Sequence, residues 1–191
     1  MSRKPKVQYE LSDLRGQKVP SEEEIKNILR AADEIIFVAG RTMLAKILKG
    51  SKDKKLIEKE LNNCPSYGYY NQLSIEEITK IIDWMIVNNY LDIDYNGRLP
   101  MIIFSDKGFE TYKPFYVDEL YNCILNVNET IYNDLIERLK QTNREVVKLL
   151  LLKIGVSKNI GFIRFLTIWE AAEVKKVRFM INGAISKLKS V

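Results

Sequence analysis

Arg41-Thr42-Met43-Leu44-Ala45-Lys46-Ile47-Leu48-Lys49-Gly50-Ser51-Lys52 opens the stretch that decides the fold, and Phe104-Ser105-Asp106-Lys107-Gly108 closes it. Leu44, Ile47 and Leu48 recur at helical spacing, and Gly50 is a natural C-terminal residue for that helix. Ser51 is placed to cap a third helix over Lys52 to Asn62, buried through Leu56, Ile57 and Leu61. Pro65-Ser66-Tyr67-Gly68-Tyr69-Tyr70 then interrupts the pattern. Ser74-Ile75-Glu76-Glu77 is a capping box, and Ile78, Ile81, Ile82, Met85 and Ile86 form the inward stripe of the helix it starts. Tyr90 to Asp94 alternates as a half-buried strand does. Asn96-Gly97 suits a tight turn with positive φ at both central residues, and Met101 to Phe104 returns.

Helices ahead of a two-stranded hairpin is the order of a winged helix. Leu-x-Gly-Ser, a charged helix, a Ser-Tyr-Gly turn, Leu73-Ser74 at a helix start, a Tyr90-Leu91 strand entry and the Ser105-Asp106-Lys107-Gly108 exit together resemble the RQC domain. That domain is the winged helix C-terminal to the motor of RecQ-type DNA helicases. The resemblance runs from about Glu23 to Tyr112. It implies DNA binding, with the Gly50-Ser51 turn against the DNA backbone and the hairpin wing at the end or junction of a duplex. It also implies that an aromatic at the wing tip, here Tyr95, acts as a strand-separating pin.

Working outward, Met1 to Pro20 is polar and lacks a helical period. It reads as a flexible arm over residues 1–20, with a short strand at Val7 to Leu11 and with Arg3, Lys4 and Lys6 available to phosphates. Ser21-Glu22-Glu23-Glu24 is a capping box for a helix whose buried face is Ile25, Ile28, Leu29, Ala32, Ile35 and Ile36, broken by Gly40. Past Lys113-Pro114 no strand signal remains. Helices are expected near Val117 to Leu125, Asn128 to Gln141, Asn143 to Ile154, Ile160 to Ala171 and Glu173 to Lys189. Thr142-Asn143-Arg144-Glu145 reads as a third capping box. The run Val146 to Ile154 is apolar almost all round, which predicts the buried centre of its bundle. Short links imply antiparallel helical hairpins, and Glu173-Val174-Lys175-Lys176-Val177-Arg178 resembles the start of the second helix of a HEAT repeat. The expected class is thus mainly α (α+β). A winged helix over residues 21–113 precedes an all-α, HEAT-like helical domain over 114–191.

The 191 residues carry a net charge of +5, 46% hydrophobic and 29% charged residues. No apolar run is long enough for a membrane span and no signal peptide is visible, so the expectation is a cytoplasmic protein with no membrane partner. Two cysteines and no histidine exclude a tetrahedral cysteine/histidine zinc site within one chain, and the cysteines read as reduced thiols. There is no Gly-x-x-x-x-Gly-Lys-Ser/Thr loop and no histidine base, so neither a nucleotide site nor a histidine triad is expected. Asp92 and Asp94 read as solubilising charge. No catalytic residue, cofactor or metal is assigned, and the chain reads as non-enzymatic.

Charge placement points to a polyanion. Arg41, Lys46, Lys49, Lys52, Lys54, Lys55 and Lys59 stand against Asp53 and Glu58 alone. The candidate DNA-binding residues are Arg41, Lys46, Lys49, Gly50, Ser51, Lys52, Lys54, Lys55, Ser66, Tyr95, Asn96 and Arg98. A helix N-terminus, a hydroxyl and lysines at Lys49 to Lys52 favour a phosphate. Tyr67 reads as structural. A second basic cluster from Arg138 to Arg164 puts Arg144 and Lys148 on the helical domain, as an extended DNA track or a protein-binding face. The reading is a protein that grips duplex, fork or junction DNA by its backbone, in repair or recombination beside a separate helicase or other repair protein. The rivals are a sequence-specific winged-helix transcription regulator and a protein-interaction scaffold.

Overall fold

The computed structural model describes residues 5–190, so Arg3 and Lys4 lie outside the described residues. The chain divides into two compact units, Met1–Tyr112 and Lys113–Val191. It is a mainly helical protein in which a two-stranded antiparallel hairpin follows the first four helices, as in a winged helix, and a helical region comes after.

In the first unit, α1 (Glu22–Asp33) starts at the expected box, with the Ser21 hydroxyl accepting from the Glu24 amide and the Glu24 carboxylate accepting from the Ser21 amide. Its buried face is Ile25, Ile28, Leu29 and Ala32. It ends well before Gly40, which instead starts α2 (Arg41–Lys49). Glycine is needed at 40 because a Cβ there would stand 2.7 Å from the Pro100 carbonyl oxygen. The link between the two helices is tied to the wing: the Phe37 amide donates to Ile102 O, and the Ile102 amide donates to Ala39 O, both at 2.9 Å.

The end of α2 is as expected, and the next helix is not. Gly50 is left-handed (φ 74°), and the Gly50 and Ser51 amides close back on α2. Asp53 is the cap of α3 (Lys54–Glu58), its carboxylate accepting from the Lys55 amide, while the Ser51 hydroxyl accepts from the Asp53 amide. α3 is one short turn that buries Leu56, and Ile57 faces solvent rather than the core. A 3₁₀ turn at Leu61–Asn63 replaces the rest of the expected helix.

α4 (Ile75–Val87) has the second box in place, with Ser74 and Glu77 bonded reciprocally. Its buried stripe holds Ile78, Ile81, Ile82 and Met85, and also Asp83. β1 (Leu91–Asn96) pairs antiparallel with β2 (Leu99–Phe104), from Leu91↔Phe104 to Asn96↔Leu99. Asn96 is therefore a paired strand residue, and the two linking residues are Gly97 and Arg98. Only Gly97 has positive φ, the placement of a two-residue hairpin link with glycine first.

The bonds of Glu77 carry a pH signature. The Ser74 amide and then its hydroxyl hold the Glu77 carboxyl below its ordinary range. A depressed folded value means the native state binds the proton more weakly than the unfolded chain. The stabilisation is therefore present above the ordinary carboxylate range near pH 4.5 and is lost as pH falls through the lower folded value. Urea midpoints measured from pH 6 to pH 3 should fall, and Glu77→Gln should flatten that decline. An unchanged slope in the variant would remove Glu77 from the account.

α5 (Asp106–Asn126) begins in the first unit and ends in the second. It starts ahead of the helix expected near Val117 to Leu125. Pro114 lies inside one continuous 21-residue helix, which forgoes the proline's missing amide bond and continues. The second unit then holds α6 (Tyr132–Gln141), α7 (Arg144–Val156), α8 (Phe162–Ala171) and α9 (Lys175–Lys189). Asn143, not Thr142, caps α7, accepting from the Glu145 amide, while the Thr142 hydroxyl donates to Arg138 O. Leu150, Ile154, Phe165, Leu166, Trp169, Ile181 and Leu188 build the core. α7 is not buried all round, since Leu152 and Val156 face outward.

No helix of the described residues is long and apolar enough to cross a membrane.

Candidate nucleic-acid interface

The Gly50-Ser51 and Tyr67-Gly68 motifs meet in space at one corner of the unit. The Gly68 amide donates to Ile47 O and the Tyr70 amide to Leu48 O, so the Tyr67-Gly68 loop closes on the end of α2. A Cβ on Gly50 would lie 3.0 Å from the Gly68 Cα, so the backbones touch where both residues are left-handed. The Tyr67 hydroxyl donates to Ser51 O, which makes Tyr67 structural as expected. Ser66 is buried and its hydroxyl bonds to Asn27, well away from any solvent-borne phosphate. Lys49 donates from Nζ to Asn71 O at 2.6 Å.

The remaining cations divide into anchored and available ones. Arg41 Nη1 donates to both oxygens of Asp83, at 2.7 and 2.6 Å. Asp83 is fully buried. It also accepts from the Tyr9 hydroxyl at 3.1 Å and the Ser12 amide at 2.8 Å, and the Arg41 guanidinium lies 4.4 Å from the Tyr9 ring centre. Burial, then the Asp83 charge, pushes the Tyr9 hydroxyl far above its ordinary range, so it remains a donor. Lys46 pairs with Asp53 at 2.7 Å, and that lysine holds the Asp53 carboxyl below its usual range. Lys54 lies 3.6 Å from Glu58, both exposed, a pair of little energetic weight. Lys52, Lys55 and Lys59 are exposed and make no ion pair among the described residues.

These groups frame a cleft of about 570 Å³ in the first unit, between α2, α3 and the wing. One wall is cationic, with Arg41, Lys46, Lys55 and Lys59. The other is apolar, with Val38, Leu99, Pro100 and Met101, and Thr42 lies between at the start of α2. Lys59 and Thr42 were not among the candidate residues. Lys59 sits in the same basic run and was legible by charge, whereas Thr42 carries no charge or motif to mark it.

At the wing tip, the stretch read as an extended arm lies across Tyr95 and Arg98. The Tyr95 hydroxyl donates to Val7 O, the Arg98 Nε donates to Pro5 O, and the Val7 amide donates to Arg98 O. Lys6 Nζ stands 4.4 Å over the Tyr95 ring. A single backbone rung is too little for a strand, and none forms at Val7 to Leu11. Asn96 is exposed. In the second unit, Arg144 lies 3.6 Å from the buried Glu173, while Lys148 is exposed.

The family model of the RQC domain matches residues 17–113. The chain belongs to the RQC domain family. The RQC match covers the whole run from α1 to the start of α5, and with it the cleft-forming residues of α2, α3 and the wing. Over 107 residues the chain is 28% identical to the ATP-dependent DNA helicase RecQ of Bacillus subtilis (strain 168), covering 56% of this chain and 18% of that helicase. The chain therefore spans about a fifth of the length of the curated relative it matches. No solved structure matches significantly.

Proposed function

We propose that the RQC unit binds duplex or junction DNA through its phosphate backbone, without catalysis of its own. The observation that supports this most is the cleft whose helix wall offers the exposed Lys55 and Lys59 opposite an apolar wing wall. Lysines without carboxylate partners release counterions when they meet phosphates, which gives affinity with weak sequence preference and steep salt dependence. Lys52 and Lys54 extend the basic surface along α3. Arg41 serves this site through the wall it holds in place. In this reading Tyr95 and Arg98 meet DNA once the arm residues 5–7 lift from the wing. A separate helicase acting on the same fork, in repair or recombination, is the setting we propose.

The test is fluorescence anisotropy on blunt duplex, forked duplex and single strand across a salt series. Duplex or fork should bind more tightly than single strand, with log affinity falling as salt rises. Lys55→Glu/Lys59→Glu should weaken duplex binding at least tenfold and lower the salt slope by about one unit per lysine. Its thermal unfolding should stay within about 0.5 kcal/mol of the parent, since both side chains are exposed. Negligible binding to all three probes at low salt would sink the proposal. So would a double variant that binds as the parent does.

A further inference from the structure

The second unit carries a groove that the DNA reading does not use. Leu151, Leu152, Met180 and Gly183 line it between α7 and α9, in a space of about 170 Å³, with Lys148 and Lys187 on its rim. No carboxylate lines it. α9 contains Lys175, Lys176, Arg178, Lys187 and Lys189 and no acidic residue. Lys148 and Lys187 make no ion pair among the described residues, in contrast to Lys153, which pairs with Asp118. Leu152 of the lining is 46% exposed, and on the same two helices Phe179 is 82% and Val156 69% exposed.

Each half of that description selects for a partner. Unpaired lysines around the seam call for anionic groups. The apolar floor calls for a ligand that brings its own apolar side chains, because a phosphate backbone gains nothing by covering Leu152 and Met180. A trough between two helices takes a ridge, which an amphipathic helix presents at i, i+3, i+4 and i+7. We propose that the α7–α9 groove docks an acidic amphipathic helix of a partner protein, its apolar stripe on Leu151, Leu152 and Met180 and its carboxylates on Lys148 and Lys187. This surface lies in the second unit and does not depend on the DNA reading.

Gly183 provides the decisive variant. A Cβ at this position meets nothing within 4 Å, so Gly183→Leu adds a side chain to open space, and leucine is a better helix former than glycine. The variant should fold at least as stably as the parent while filling the groove. The probe is a fluorescein-labelled 16-residue synthetic helix with leucines at i, i+3, i+4 and i+7 and glutamates on the flanks. Its controls are a scrambled peptide of the same composition, duplex DNA, and vesicles of phosphatidylglycerol. The helical peptide should bind the full chain, the scrambled one at least tenfold more weakly. Gly183→Leu and Lys148→Glu/Lys187→Glu should each weaken peptide binding at least tenfold, with thermal unfolding intact and, for Gly183→Leu, duplex affinity unchanged. Equal binding of the scrambled peptide, or peptide binding that survives Gly183→Leu, would overturn the proposal. Loss of duplex or vesicle binding in Gly183→Leu would also overturn it, by assigning the face to nucleic acid or membrane.

Discussion

Gly108→Ala should unfold or severely destabilise the first unit, by at least about 3 kcal/mol in urea titration. A Cβ at this position would stand 1.7 Å from the Tyr90 carbonyl oxygen and 2.7 Å from its carbon. Those are backbone atoms, so no rotamer change relieves the overlap. Relief requires the first turn of α5 to move away from the entry of β1. That junction is held by three bonds: the Ser105 hydroxyl donates to Asn89 O, the Gly108 amide donates to Ser105 Oγ, and Lys107 Nζ donates to Asn88 O. Moving the turn strains all of them together. With a whole domain stable by only about 5–15 kcal/mol, the loss is a large share of the total. Gly97→Ala is the matched control. A Cβ there meets nothing, and the cost is confined to holding alanine at φ 63°, about 1–2 kcal/mol. A Gly108→Ala protein as stable as Gly97→Ala would refute the assignment of this contact.

Arg41→Ala should cost about 3–5 kcal/mol, because it leaves the buried Asp83 carboxylate without its cation. Asp83→Ala should cost less, although it removes the same ion pair. Its stranded partner, Arg41, is about a quarter exposed and can turn to water, whereas the Asp83 side chain has no exposure. The order of the two losses is the measurement that matters. A larger loss in Asp83→Ala would show that the pair is not the centre of this network.

Much of the first unit was readable because its signals are local. Ser21 and Ser74 with their glutamates three residues on, and Gly50 after a helical stripe, need no knowledge of distant partners. The failures have a common cause. Ser51 resembles a cap by composition, yet its hydroxyl accepts from the Asp53 amide, and it is Asp53 that caps α3. Lys113-Pro114 marks a change of pattern in the sequence, yet α5 runs through it without a break. Arg41 looked like one more cation in a basic run. Its partners Asp83 and Tyr9 lie 42 and 32 residues away, and nothing nearby in sequence marks the pairing. For the candidate interface, the charge run was legible and its division into anchored and available lysines was not. That division depends on which carboxylates fold back.

The bonds from Tyr9 and Ser12 to Asp83 have a practical consequence for cutting this protein. The family match opens at residue 17 and the first helix at Glu22. A fragment trimmed to either point would keep every helix and strand of its unit. It would nonetheless leave a buried carboxylate short of two of its three donors. Trimmed chains should therefore melt earlier than the length of the deleted tail suggests. The domain's physical edge lies several residues ahead of its edge in sequence comparison.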